Sequence, residues 1–350
     1  MNLPATRLAG DPIVEVRRLR YADPFHIARA SADEGFTTSV IVTLHDREGR
    51  TGLGEAAPDA FYGETPATVL AAFQTYRPLL ESGDAHAFGS AAPELLNRNP
   101  AARAALQTAL LDLQTQAAGL AFHDVLEGDP ASAPPTDFSV GLDDPAVVAE
   151  RVRRAAERGF SIVKVKLGGE RDVETLRAVR DVFDGTLRVD ANTGWPTLDH
   201  AIEMTRICAA HGVEYVEQPM RKHALGDLAR LQAASPLPIV VDESAETIDD
   251  LPNVAGIVAG VNVKLMKCGG PLEAAAMIRE ARRLGLRVML GCMVETSIAI
   301  TAMAHLAGLA EWVDLDGHLL LGEDPYRGLE VRDGGVLELP ERPGLGVVPR

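Results

Sequence analysis

SIVKVKLGG, residues 161–169, is the stretch whose reading decides the fold. Val163 and Val165 alternate with Lys164 and Lys166, the period of a strand, so both ammonium groups share the face opposite the valines. Two like charges side by side in a core strand are unfavourable, so the pair calls for a functional reason. Similar short β-branched runs recur from about Pro135 onward: TDFSVGL, TLRVDAN, VEYVEQP, LPIVVDES, AGVNVKL, LRVMLGC and EWVDLDG. Amphipathic stretches separate them, among them DPAVVAERVRRAAERG, with Gly159 placed as a C-cap, and GGPLEAAAMIREARRLG, with Pro271 at a helix N1 position. Roughly eight such strand–helix units predict an α/β fold of the TIM-barrel type. The last strand is followed by HLLLGEDPYRGLEVRDGG, rich in Gly and Pro, so no eighth helix is expected.

Upstream, GFTTSVIVTLHDREGRTGLGEAAP reads as a hairpin turning at Asp46 to Gly49. An alanine-rich helical region runs from Pro66 to about Gly119, with interruptions expected near Pro93 and Pro100. The expected organisation is an α+β capping domain over residues 1–125, a barrel over 126–320, and a segment 321–350 that returns to the cap and includes the hairpin LEVRDGGVLELP. Lys and Arg number 34 against 50 Asp and Glu, a formal net charge of −16, which argues against nucleic acid and anionic membrane as partners. No apolar run is long enough to span a bilayer and MNLPATRLAGDP lacks a signal-peptide core, so a cytoplasmic location is expected. Cys208, Cys268 and Cys292 have no zinc spacing and are expected as reduced thiols.

In a barrel, function collects at the carboxyl ends of the strands. Here successive ends carry Lys164 and Lys166, Asp190 and Asn192, Glu217, Asp242, and Lys264. One strand-end acid can simply cap a helix, but Asp190, Glu217 and Asp242 on consecutive strands would repel one another unless a cation sat between them, and hard oxygen ligands suit Mg²⁺. Lys166 and Lys264, on the second and sixth strands, would approach a central ligand from opposite sides. A neighbouring ammonium, Lys164, and a divalent cation should lower a lysine's pKa and make it a base.

The order K-x-K, D-x-N, E-Q-P, D-E, N-x-K-x-x-K-x-G-G resembles the enolase superfamily, and within it the muconate-lactonizing-enzyme subgroup, over nearly the whole chain. The resemblance implies a (β/α)7β modified TIM barrel with an α+β capping domain. It also implies one Mg²⁺ per subunit on Asp190, Glu217 and Asp242, and α-proton transfer by Lys166 and Lys264 through a metal-stabilised enediolate that Lys164 also stabilises. A homo-oligomer is expected. In KLMKCGG, strand parity places Lys264 inside and gives Lys267 a structural part.

WVDLDG sets Asp314 and Asp316 on one face of the eighth strand. This D-x-D resembles the dipeptide epimerases, where it holds the substrate's α-ammonium; the implied reaction is epimerisation of a dipeptide at the α-carbon of its C-terminal residue. N-acylamino acid racemase, o-succinylbenzoate synthase and muconate-type cycloisomerase activities remain alternatives, and a noncatalytic binding barrel is a reading of another class. Cys292 and Met293 are expected as cavity walls, Ser139 as a contact to the substrate carboxylate, and Glu295 as a helix cap or a support for a lysine. Specificity is expected from two cap loops, YADPFHIARASADEG and DAFYGET. Arg29 falls close to where alanine–glutamate epimerases carry an arginine toward the glutamate side chain, about one residue out of register, making L-Ala-D/L-Glu the favoured substrate. Thr193 stands where the family often has glutamine.

Overall fold

The computed structural model describes residues 3–29 and 35–350; the part of the first cap loop at 30–34 lies outside the described residues. Three antiparallel strands open the chain, β1 (Ile13–Arg20), β2 (Phe36–His45) and β3 (Thr51–Ala56). Asp46 makes the β2–β3 turn by accepting the backbone amides of Glu48 and Arg50 at 3.1 and 2.8 Å. Helices α1 (Pro66–Tyr76), α2 (Ala85–Leu95), α3 (Pro100–Ala118) and α4 (Phe122–Leu126) follow. Pro100 begins α3, but Pro93 does not interrupt α2. It falls in the last turn, where a missing N–H forfeits only the bond to the Gly89 carbonyl.

Eight parallel strands then run in sequence order: β4 (Phe138–Val140), β5 (Ile162–Lys166), β6 (Thr186–Asp190), β7 (Val213–Glu217), β8 (Ile239–Val241), β9 (Gly260–Val263), β10 (Arg287–Leu290) and β11 (Trp312–Val313). A parallel bridge between Thr136 and Val313 brings the first strand beside the last and closes the ring. The intervening helices are α5 (Pro145–Glu157), α6 (Asp172–Arg180), α7 (Leu198–Ala210), α8 (Leu225–Ala234), α9 (Leu251–Val254), α10 (Leu265–Cys268), α11 (Pro271–Arg283) and α12 (Ser297–Ala304). After β11 the described residues hold no α-helix, only the 3₁₀ turns Gly317–Leu320 and Asp333–Gly335, which makes this a (β/α)7β barrel with an α+β cap.

Strand period explains the site's position. Tyr215, Val240, Met289 and Trp312 form a buried cluster inside the barrel, with the Arg188 guanidinium 5.5 Å from the Tyr215 ring centroid. Two residues further along the same strands, on the same face, stand Asp190, Glu217, Asp242 and Asp314. The lower layer is therefore a plug and the upper layer is charged.

The cap is fastened to the barrel by buried polar contacts. Glu55, at the end of β3, accepts from Thr296 N and Oγ1 at the N-terminus of α12, from Ala299 N, and from Ser39 Oγ. A carboxylate at a helix N-terminus is favoured by the orphan amides there. Close approach demands glycine at Gly54, where a Cβ would lie 1.9 Å from the Ala105 carbonyl oxygen of α3. The C-terminal segment divides its contacts. Leu345 N reaches Asp112 of the cap at 2.9 Å, whereas the hairpin of β13 (Glu330–Arg332) and β14 (Val336–Glu338) bonds the amino end of the barrel, through Gly334 N to Gly159 O and Thr136 N to Gly335 O. β12 (Tyr326–Arg327) pairs with β15 (Val348–Pro349). Among the described residues no helix is long and apolar enough to cross a membrane.

Candidate active site

The two lysines of KVK are answered by carboxylates on other strands of the barrel. Lys166 Nζ donates to Asp190 Oδ2 at 2.6 Å, and Lys164 Nζ donates to Glu217 Oε2 at 3.0 Å and to Asp314 Oδ2. Across the barrel Lys264 Nζ donates to Asp242 Oδ2 at 2.8 Å. All three lysines and all four carboxylates are buried. Burial opposes the Lys164 ammonium, but Asp314, Glu217 and Asp190 outweigh it and hold its pKa well above the lysine range. Lys264 is likewise raised: burial lowers it, and Asp242 and Glu217 more than compensate. Lys164 acts on Lys264 more weakly than these carboxylates do.

Asp190, Glu217 and Asp242 belong to adjacent strands, with Asp190 in register with Glu217. Burial, then the Asp190 charge, and further on Asp242, push the Glu217 carboxyl up. Asp242 goes the other way, since Lys264 and Lys267 outweigh burial. Three buried anions acting on one another form a hard oxygen donor set, and that chemistry fits Mg²⁺.

Residues around the three carboxylates hold this set in place. Asn262, on the same strand face as Lys264, donates to Glu217 Oε1 at 2.7 Å, a partner that strand parity in the quoted N-x-K could have found. Gln218 Oε1 accepts from the backbone amides of Asp242 and Ser244 and so fixes the end of β8. The chain leaves β6 through left-handed residues Asn192 and Thr193, φ 41° and 67°, and Asn192 N bonds Asp190 Oδ1 at 2.8 Å. Lys267 points away from the cavity: its Nζ donates to the carbonyls of Asp242, Ala245 and Asn262 at 2.7, 3.0 and 2.8 Å and lies 2.6 Å from Asp242 Oδ1. Such a clasp orients the loop between β9 and α11. The glycines after it allow the cap to approach, since a Cβ on Gly270 would meet Gln107 Oε1 at 2.2 Å.

At the eighth strand end, Ser139 does not point to a separate carboxylate site. Its Oγ donates to Asp314 Oδ1 at 3.1 Å and its backbone N to Asp316 Oδ2 at 2.5 Å. Cys292 Sγ and an oxygen each of Asp314 and Asp316 lie within 4.8 Å of one another. Asp314 is held well below the carboxylate range, Lys164 outweighing burial, whereas burial and the Asp314 charge push Asp316 up to about 7. Asp314 is thus committed to Lys164, and Asp316 is the acid with capacity for a further cation.

Lys166, Lys264, Asp314, Asp316, Ser139, Cys292 and Met293 all line one cavity of about 520 Å³ at the barrel mouth, roofed by cap residues that include Phe25, Ile27 and Arg29. Arg29 lines this cavity and makes two ion pairs: Nε bonds Glu243 Oε1 at 2.9 Å and Nη2 bonds Asp59 Oδ2 at 3.0 Å. Neither partner was evident from sequence, being 214 and 30 residues away along the chain. Glu295 is not the cap of α12; Thr296 is. Glu295 instead accepts Met293 N at 2.7 Å, and burial with the Glu55 charge pushes its carboxyl up to about 8. The cysteines are free thiols, as expected.

Comparison with known proteins places this geometry among relatives. Residues 12–127 match the mandelate racemase/muconate lactonizing enzyme N-terminal domain, and residues 147–350 match the enolase C-terminal domain-like family. The chain is 36% identical over 326 residues to the L-Ala-D/L-Glu epimerase of Bacteroides thetaiotaomicron, covering 92% of this chain and 84% of that one. It is 39% identical over 315 residues to the hydrophobic dipeptide epimerase of Roseobacter litoralis, covering 86% and 88%. The crystal structure of a dipeptide epimerase from Cytophaga hutchinsonii, complexed with Mg and D-Ala-L-Val, superposes with a TM-score of 0.92 at 28% identity, covering 99% of this chain and 96% of that one.

Proposed function

Because the chain belongs to the mandelate racemase/muconate lactonizing enzyme family of the enolase superfamily, we propose that it is a Mg²⁺-dependent dipeptide epimerase. It inverts the α-carbon of the C-terminal residue. The observation that carries this reading is the buried Asp314–Asp316 pair facing the same cavity as Lys166 and Lys264. A substrate with a free α-ammonium finds an anionic partner there; an N-acylated one does not.

Asp190, Glu217 and Asp242 would hold Mg²⁺, which when bound supplies Lewis-acid charge for the substrate carboxylate. Asp316 takes the α-ammonium, and Asp314, kept ionised by Lys164, adds to the field. With the substrate fixed at both ends, its α-carbon lies between Lys166 and Lys264. One lysine Nζ, as the free amine, removes the α-proton, and the other, as the ammonium, returns a proton to the opposite face. Lys164 stays protonated and stabilises the enediolate charge that develops between those steps. The cap excludes water, which strengthens these interactions.

A library of L,L-dipeptides incubated with the enzyme and Mg²⁺ in D₂O tests the assignment. Epimerised substrates gain one deuteron by mass spectrometry. Turnover of N-acyl amino acids without exchange on any free dipeptide contradicts the epimerase reading.

A further inference from the structure

Beneath the Asp314–Asp316 pair lies a further acid that the mechanism above does not use. Asp137 stands two residues before Ser139, on the same inward face, and is fully buried beside Arg188 in the lower layer of the barrel. Its Oδ2 accepts Arg188 Nη1 at 2.9 Å, and Arg188 Nε is engaged by Glu214 at 2.7 Å. The Asp137 backbone N and Arg188 Nη1 both bond the Val313 carbonyl, at 3.3 and 2.9 Å, which fixes the Asp137 side chain against the start of Asp314.

The other oxygen, Oδ1, is buried and receives no donor. Such an orphan is costly for a carboxylate but not for the O–H of a carboxylic acid that has an acceptor to meet. The acceptor is Asp314, whose carboxyl shares a hydrogen bond with that of Asp137. Two carboxyl groups in such contact need one proton between them. Asp314 already receives Lys164 Nζ on Oδ2 and Ser139 Oγ on Oδ1, whereas Asp137 has a single guanidinium that it shares with Glu214. Burial, then the Asp314 charge, push the Asp137 carboxyl well above the carboxylate range and outweigh Arg188 and Lys164. Burial opposes the Asp314 charge, but Lys164 and the hydrogen bond from Asp137 outweigh it. The proton resides on Asp137.

We propose that Asp137 is a positioning residue that acts through Asp314: as the neutral carboxylic acid it donates to Asp314 and holds that carboxylate toward Lys164, leaving Asp316 for the substrate ammonium. A carboxyl kept neutral by its surroundings serves here as a donor. The subsite then carries two carboxylates against Lys164 rather than three. The protonated pair stands on the geometry alone; only its bearing on the ammonium rests on the dipeptide reading above.

The test compares Asp137→Asn with Asp137→Ala. Asparagine keeps an oxygen for Arg188 and an N–H for Asp314, and alanine strands both. Infrared difference spectra of wild type against Asp137→Asn, taken at pH 9, above the values of about 7 for Asp316 and about 8 for Glu295, should show a protonated-carboxyl C=O band that the variant lacks. With a free dipeptide at pH 7, Asp137→Ala should lower kcat/KM by about tenfold or more, and Asp137→Asn should recover most of that loss. The fall in kcat/KM through about pH 7 should move to higher pH in Asp137→Ala, because Asp314 without this donor presses harder on Asp316, and should stay in place in Asp137→Asn. A merely structural residue would leave that limb unmoved in both. No lost band, equal losses in the two variants, or a limb that moves to lower pH in Asp137→Asn, as removal of an ionised Asp137 requires, overturns the proposal. Should Asp137→Ala not fold, the band and the Asp137→Asn limb decide it. Exchange on no dipeptide overturns the dipeptide reading and leaves the infrared band to decide the protonated pair.

Discussion

Replacing Asp316 by asparagine isolates the contact on which the substrate assignment depends. The side chain is 1% exposed, and Asn can still accept Ser139 N, so the change removes charge with little loss of structure. The dipeptide ammonium then enters a desolvated pocket without its anion, a cost of about 2–5 kcal/mol. At about 1.4 kcal/mol per decade this predicts a fall in kcat/KM of roughly 30- to 4,000-fold. Asp314 cannot fully substitute, because Lys164 and Ser139 already engage it. The comparison belongs at pH 8, above the Asp316 pKa of about 7, where the wild-type carboxylate is ionised. The sign of the pH dependence follows: Asp316 holds the ammonium only when charged, so wild-type kcat/KM should fall as pH drops through about 7, and the variant should lack that limb. N-acetylating the dipeptide supplies the control, since it removes the other half of the same ion pair. It should harm the wild type far more than Asp316→Asn. Equal losses in both proteins would refute the ammonium site.

Chelating divalent cations should abolish exchange and Mg²⁺ should restore it, while Asp242→Asn should weaken Mg²⁺ binding measured by calorimetry because an amide replaces a charged ligand. Undiminished turnover in excess chelator contradicts the three-carboxylate site. Lys267→Met should lower stability by about 3–5 kcal/mol, read from denaturant unfolding, since it strands buried carbonyls and Asp242 Oδ1. An unaltered midpoint would show the clasp to be dispensable.

Much of this was legible in the chain because barrel geometry turns strand parity into position. Lys164 and Lys166, Asp190, Glu217, Asp242, Lys264, and Asp314 with Asp316 share the inward face of their strands, and that alternation can be read residue by residue. β4 and β11 are only three and two residues long, yet their β-branched and aromatic runs still marked them. Contacts between distant segments were not legible. Nothing in DAFYGET shows that Asp59 meets Arg29, or that Glu243, one residue past a strand-end acid, is its other anchor. Pro93 misled because helix breaking depends on where in the helix a proline falls, and α2 ends two residues later.

The proposed mechanism turns on two lysines working from opposite faces of one carbon, and solvent deuterium exchange followed separately for each epimer tests them most directly. With Lys166→Ala, one epimer should still exchange its α-proton through Lys264 while net epimerisation stops; with Lys264→Ala, the other epimer should exchange. Exchange of both epimers in either variant, or this split appearing in Lys267→Ala in place of Lys264→Ala, would contradict the account.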